Sequence, residues 1–135
     1  MNIAVRYYTR SGNTKKLAEA VASAVGAEAL ETSVELAEKV DLLFLGSSLY
    51  AGNMDANIKD FIDKNADKIG KIACFGSSAM GKSTHGKIKA YAEQKGIEVA
   101  EDYFNCPGKF LFMHGGRPDA RDLSSVKTFA KAFLE

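Results

Sequence analysis

Apolar residues recur along this chain in two alternating rhythms. Ile3 to Tyr8 is a short β-prone run, after which Leu17, Ala18, Val21, Ala22 and Val25 follow at helical spacing until Gly26 closes the segment. A weak strand is expected around Ala27 to Thr32, and Ser33 is placed to cap a brief helix through Glu38. Val40 to Leu45 is almost wholly apolar, as in a strand covered on both faces of a parallel sheet, and Gly46 ends it. Ile58, Phe61 and Ile62 mark a helix from about Asp55 to Asp67. Ile72 to Phe75 is the next buried strand. Lys82 to Gln94 carries Ile88, Tyr91 and Ala92 on one helical face, and Gly96 stops it before a strand from Ile97 to Phe104. The segment from Asn105 to Pro118 holds both prolines and three glycines, and reads as a loop in which Phe110 to Met113 can extend the last strand. From Asp119, an N-cap, Leu123, Val126, Phe129, Ala130, Phe133 and Leu134 describe a closing amphipathic helix.

Five strands alternating with helices through short connections specify a doubly wound parallel α/β sheet with helices on both faces, once right-handed crossovers are imposed. Ligands of such sheets sit beyond the carboxyl ends of the strands. Three loops, after the first, third and fourth strands, share that edge.

Composition narrows the class. A chain of 135 residues without a Pro/Ser-rich linker reads as one domain, residues 1 to 135, able to bury a sizeable core without disulfides. Cys74 lies in an apolar run and reads as a buried thiol, whereas Cys106 before Pro107 falls in the expected loop; neither has metal-site or redox-motif spacing. With 18 basic and 17 acidic residues interspersed, the net charge of +1 argues for neither nucleic acid nor a highly acidic partner surface. No signal-peptide pattern or membrane-length apolar run is present, so no membrane and a cytoplasmic location are expected.

The first loop, Thr9-Arg10-Ser11-Gly12-Asn13-Thr14, sits between a strand and a helix N-terminus. Unpartnered N–H groups and the helix dipole make that junction an anion site. Thr9, Ser11 and Thr14 add hydroxyls, Asn13 an amide, and Gly12 permits close backbone approach. Such neutral donors suit a phosphate; a plain helix cap is the simpler reading, but it needs only one of them. Arg10 is the one charge in the loop, and Lys15 and Lys16 lie within the helix. In the second loop, Ser47, Ser48, Leu49, Tyr50, Ala51, Gly52, Asn53 and Met54 combine small residues, an aromatic and a glycine. Backbone groups there can read the polar edge of a flat ring while Leu49 or Tyr50 packs on its face.

At these residues the chain resembles the flavodoxin-like family, short-chain type, over essentially its whole length. The likeness rests on the strand ending in Tyr8, then Thr9 to Lys15 with Leu17, then Leu45-Gly46-Ser47 with Tyr50, Gly52-Asn53-Met54 and Ile58-Lys59-Asp60-Phe61. It implies strand order 2-1-3-4-5 with FMN at the switch point of the sheet. By resemblance, Thr9 to Thr14 would hold the FMN phosphate, and the second and third loops would enclose the isoalloxazine. The third loop supplies Ser77, Ser78, Ala79, Met80 and Gly81, with Met80 as a thioether cover where many members place an aromatic. The family's ring-binding loop has a glycine-bearing peptide that turns to present a carbonyl to flavin N5–H, and Gly52, with Ala51 or Asn53, is its counterpart. The implied function is electron transfer between redox partner proteins, a reductase and an acceptor. An FMN-dependent NAD(P)H:quinone-type oxidoreductase is the alternative, suggested by Gly52-Asn53-Met54, and a flavin-free interaction domain is a third.

Gly76-Ser77-Ser78-Ala79-Met80-Gly81-Lys82-Ser83 also spells a nucleotide P-loop between strand and helix. No later apolar strand carries a clear Mg²⁺-binding aspartate, so a glycine-rich flavin loop explains the same letters better. His85 reads as a solvated helix-entry residue, and His114 beside Gly115-Gly116 as a weak candidate proton donor. Phe110, Phe112, Phe129 and Phe133 read as core.

Overall fold

The computed structural model describes residues 1–10, 12–50, 53–78, 83–107 and 117–134, with 49, 50 and 53 in their backbone course alone. Strand β1 (Ile3–Tyr7) leads to helix α1 (Asn13–Val25), then β2 (Ala29–Glu31), β3 (Leu42–Ser47) and a small hairpin of β4 (Leu49–Tyr50) and β5 (Asn53–Met54). Helix α2 (Ala56–Asn65), β6 (Lys71–Ser77), α3 (His85–Glu93), β7 (Glu98–Val99), β8 (Phe104–Cys106) and α4 (Ala120–Lys131) complete the order. The main sheet runs β2-β1-β3-β6, with β7 and β8 both pairing β6, and every pairing in it is parallel. Since β7 and β8 occupy one position, this is the 2-1-3-4-5 order.

Strand side chains alternate between two cores, as a pleated sheet covered on both faces requires. Leu43, Leu45, Ile72 and Cys74 point to the face covered by Ile58, Phe61 and Ile62 of α2 and Ile88 and Ala92 of α3. Val5, Tyr7, Leu42, Phe44 and Phe75 point to the face covered by Leu17, Ala18 and Val21 of α1 and Val126 and Ala130 of α4. Phe44 meets Phe129 and Phe133 edge-on, with ring centroids 6.4 and 5.6 Å apart, which places both helical phenylalanines against the core as expected. Phe110, Phe112 and the Phe110–Met113 extension lie outside the described residues, as does His114.

Helix ends follow their local chemistry. Asp119 caps α4 in a reciprocal box with Asp122, each side chain accepting the other's backbone N–H. Asp55 caps α2 by accepting from Asn57 N–H at 2.9 Å. Gly12 and Gly26, at φ 87° and 71°, bracket α1 in the left-handed region.

Five expectations are corrected. The segment 33–38 is not a helix, because its backbone groups are held elsewhere. Arg6 donates to the Val34 and Glu35 carbonyls at 2.9 and 3.3 Å, Lys68 to the Leu36 carbonyl at 3.0 Å, and Asn65 Oδ1 accepts from Leu36 N–H. The strand expected over 97–104 is broken by a bulge. Register with β6 is Ile72 to Val99 before the break and Phe75 to Phe104 after it, an advance of two residues. Cys106 is buried in β8 rather than in a loop. The second loop contains the antiparallel β4–β5 hairpin instead of irregular chain. The third helix begins at His85, as residues 83 and 84 are not helical. No described helix is long and apolar enough to cross a membrane.

Candidate functional site

The carboxyl ends of β1, β3 and β6 bring the three loops to one edge. Thr9 sets the first: its hydroxyl accepts the Gly12 N–H at 3.0 Å, turning the chain so that Gly12 enters the left-handed conformation and α1 starts immediately after it. Gly12 offers no side-chain cap to α1, and no acidic residue occupies the first turn. Helix α1 therefore points its positive dipole end at the head of the site, with no carboxylate in its first turn to offset it. A φ of 87° costs a residue with a Cβ about 1–2 kcal/mol, so glycine is the residue that makes this geometry inexpensive.

Thr14, fully buried, joins the loops. Its Oγ1 lies 3.1 Å from Ser48 Oγ and 3.4 Å from Ser77 Oγ, and those two hydroxyls are 3.4 Å apart. One hydroxyl from each loop thus meets in a triangle directly behind the helix N-terminus. Hydroxyls rotate to donate or accept, so this cluster can redirect its protons toward an anion. Ser47, also buried, donates to Thr84 Oγ1 at 2.9 Å and ties the end of β3 to the entry of α3.

Two glycines allow the strand ends to approach this closely. A Cβ on Gly76 would lie 1.9 Å from the Ser47 carbonyl oxygen, and one on Gly46 would lie 2.5 Å from the Phe75 ring and 3.0 Å from Thr14 Cγ2. All three distances lie inside van der Waals contact, the first two far inside it. Gly76, the first letter of the P-loop spelling, is explained by packing between neighbouring strands. Residues 79–82 of that spelling lie outside the described residues.

Arg10 and Asp55 connect the first loop to the second. The guanidinium, 57% exposed, donates to the carboxylate, 5% exposed, at 2.8 Å. Burial pushes the Asp55 carboxyl up, but the Asn57 backbone and side-chain N–H groups and the Arg10 guanidinium outweigh it and hold the pKa below the ordinary value. Asp55 therefore stays ionised while it caps α2 just past the hairpin. At the start of α4, Arg117 grips Asp122 through two nitrogens at 2.5 and 2.7 Å, which, with the Asp119 N–H, lowers the Asp122 pKa against the opposing effect of burial.

A model of the flavodoxin domain matches residues 4–120 of this chain. The chain belongs to the flavodoxin-domain family. An uncharacterized protein of Methanocaldococcus jannaschii is 26% identical to this flavodoxin-domain chain in an alignment 137 positions long that covers 91% of each chain. Among solved structures, a flavodoxin from the domain Archaea superposes with a TM-score of 0.79 at 22% identity, covering 96% of this chain and 94% of that one. A flavoprotein in complex with FMN from Lactobacillus acidophilus NCFM superposes with a TM-score of 0.63 at 20% identity, covering 78% and 92%.

Within this flavodoxin-domain frame, Thr9, Arg10, Gly12, Asn13 and Thr14 stand together at the head of α1, and Ser47, Ser48, Ser77 and Ser78 stand at the adjoining strand ends. The backbone of Leu49, Tyr50 and Asn53 forms the hairpin beside them. Ser11, Ala51, Gly52, Ala79, Met80 and Gly81 lie outside the described residues. Sequence reasoning missed Asp55 and Thr84. A capping Asp two residues before Asn57 was a legible signal for the first; the Ser47–Thr84 bond, between residues 37 apart, left none. His85 is also not simply solvated: its Nε2 lies 2.8 Å from the Ala100 carbonyl, and its ring stacks on Tyr103 at 4.5 Å.

Proposed function

We propose that this protein binds FMN at the carboxyl edge of its sheet and passes electrons between redox partner proteins. The observation that carries the reading is the meeting of Thr14, Ser48 and Ser77 behind an α1 terminus left without a side-chain cap. Those donors are neutral and fixed by buried backbone, the chemistry that holds a phosphate dianion by hydrogen bonding and helix dipole. The residues fit the cofactor, and the FMN complex of the Lactobacillus flavoprotein supports the same choice.

In this reading Thr9 shapes the loop, the first N–H groups of α1 with Asn13 and Thr14 hold the phosphate, and Ser48 and Ser77 orient the Thr14 hydroxyl. By the family resemblance, Leu49 to Asn53 and Ser77 to Gly81 would be the residues that hold the ring. The Arg10–Asp55 pair ties the phosphate loop to the base of the hairpin, so the two halves of the site keep their spacing. Bound FMN supplies the redox chemistry, taking up and releasing electrons one or two at a time. Buried Cys74 and Cys106, both pushed up to about 12 chiefly by burial, supply no thiolate to compete with it.

The test is anaerobic reduction of the FMN-loaded protein with NADPH alone and with NADPH plus a flavodoxin reductase. Slow bleaching with NADPH alone and rapid bleaching with the reductase are expected of a carrier. Rapid bleaching by NADPH alone would replace the carrier with an NAD(P)H oxidoreductase.

A further inference from the structure

A cleft of about 260 Å³ lies between the turn at residues 32–35 and one face of α2, and none of the residues lining it belongs to the three loops proposed to hold FMN. Asn57, Asp60, Phe61 and Lys64 recur at helical spacing and line its α2 wall. Counted from Asn57 to Asn65, that wall is about 12 Å long. The opposite wall is held in place by groups that the protein itself satisfies. Arg6 donates to the Val34 and Glu35 carbonyls, and fully buried Asn65 bridges the two walls, accepting from Leu36 N–H and donating to the Phe61 carbonyl, both at 2.9 Å. The cleft is therefore preorganised.

The remaining polar groups along it have no protein partner. Thr32 is only 8% exposed; its backbone N–H donates to the Tyr7 carbonyl, but its hydroxyl makes no hydrogen bond among the described residues. Every described side-chain N or O sealed from solvent has a partner, so this hydroxyl opens on the cleft that Thr32 lines. Asn57 spends its side-chain N–H on Asp55 at 2.8 Å, which leaves its carbonyl oxygen to accept. Glu35, Asp60 and Lys64 bring three charges to the walls. Among the described residues none of the three is in an ion pair, although Asp60 and Lys64 stand at the i,i+4 spacing at which such pairs form.

We infer that this cleft binds a free amino acid and prefers a basic one. Its volume falls below the roughly 300–1,000 Å³ of sites for drug-sized ligands, which suits a small metabolite rather than a nucleotide or a flavin. Two carboxylates against one ammonium match a ligand of reversed charges, two ammonium groups and one carboxylate, the pattern of lysine at neutral pH. Thr32 and Asn57 supply neutral hydrogen bonds toward the start of α2. Among the described residues no three of His, Cys, Asp and Glu come together as a metal ion would require, so the cation that fits is an organic ammonium. The charged side chains are exposed, so each contributes little and the affinity is in the millimolar range.

The test follows the backbone amide signals of the nitrogen-15-labelled full chain during titration with L-lysine, L-glutamate, putrescine or acetate. Saturating shifts confined to residues 32–36 and 57–65 are expected with L-lysine at a Kd of about 1 mM, the other three binding at least about fivefold more weakly. Asp60→Asn and Lys64→Gln, both surface changes, should each weaken L-lysine about threefold. Thr32→Val, which keeps the shape of the side chain, should weaken it about fivefold, one net hydrogen bond. No saturation by L-lysine at about twentyfold the expected Kd overturns the inference, as do shifts that map outside the two segments. Putrescine or acetate binding as tightly as L-lysine overturns it too, since a single charge would then suffice, and so does an unchanged Kd in all three variants.

Discussion

Gly12→Ala separates the geometry of the phosphate loop from the general cost of strain. Gly12 sits at φ 87° with nothing within 4 Å of where a Cβ would be, so the substitution meets no clash and acts through the backbone alone. Holding alanine in the left-handed region costs about 1–2 kcal/mol, partly offset by about 0.4–1 kcal/mol from the less flexible unfolded chain, which leaves roughly 1 kcal/mol of destabilisation. For a domain of this size that lowers the Tm by about 4 °C. Gly26 is the control. It lies at the opposite end of the same helix, at φ 71° and likewise in open space, so Gly26→Ala carries the same strain away from the site. If the strain at residue 12 relaxes by displacing the first turn of α1, one charge-assisted N–H bond to phosphate is lost, worth about 1.5–3 kcal/mol, or at least tenfold in affinity. Thermal unfolding and flavin-fluorescence titration read the two effects. Both variants should lose similar stability, while only Gly12→Ala weakens FMN by about tenfold, with riboflavin, which lacks the phosphate, changed less than about twofold. Equal FMN affinity for the two variants, or a parallel loss of riboflavin, would refute the reasoning.

Three further outcomes are expected. Thr14→Val keeps the methyl packed beneath Gly46 but removes the hydroxyl shared with Ser48 and Ser77, and should raise the FMN Kd about fivefold, one net hydrogen bond. Thr14→Ser keeps the hydroxyl and should stay within about twofold in the same titration. Because the folded-state pKa of Asp55 lies below 3.8, its contribution is present above that pH and disappears as pH falls through the lowered value. Asp55→Asn, which can still cap α2, should therefore flatten the acid limb of stability in urea unfolding between about pH 5 and pH 3; an unchanged limb counts against the ion-paired carboxylate. Cys74 and Cys106 should both resist a disulfide reagent at pH 8 until the protein is unfolded, as expected for buried thiols held near 12. Labelling of the native protein at the rate of a free thiol would contradict their burial.

The sheet was legible because its strands are covered on both faces and so appear as apolar runs, as in Leu42–Leu45 and Ile72–Phe75. The cap at Asp119 and the loop at Thr9–Thr14 were legible because both depend on residues within one turn of each other. Features set by distant partners were hidden. Arg6 holds backbone carbonyls 28 and 29 residues away, and Lys68 another 32 residues away, which diverts segment 33–38 from the helix that Ser33 and its neighbours favour. The bulge between β7 and β8 was hidden for the same reason. His85 takes the Ala100 carbonyl and Lys89 pairs with Glu101, so helix α3 draws the edge strand out of register. The site shows both sides of this limit: the residue types in each loop announced an anion and a ring, but only the fold could bring Thr14 beside Ser48 and Ser77, 34 and 63 residues away.

Equilibrium titration of the flavin-free protein with FMN, with riboflavin in parallel, tests the central claim most directly. The account predicts one FMN per chain, a yellow complex with quenched flavin fluorescence, and an affinity at least about a hundredfold above that for riboflavin, the difference supplied by the phosphate at α1. A protein that stays colourless with FMN, or that binds FMN and riboflavin equally, would contradict it.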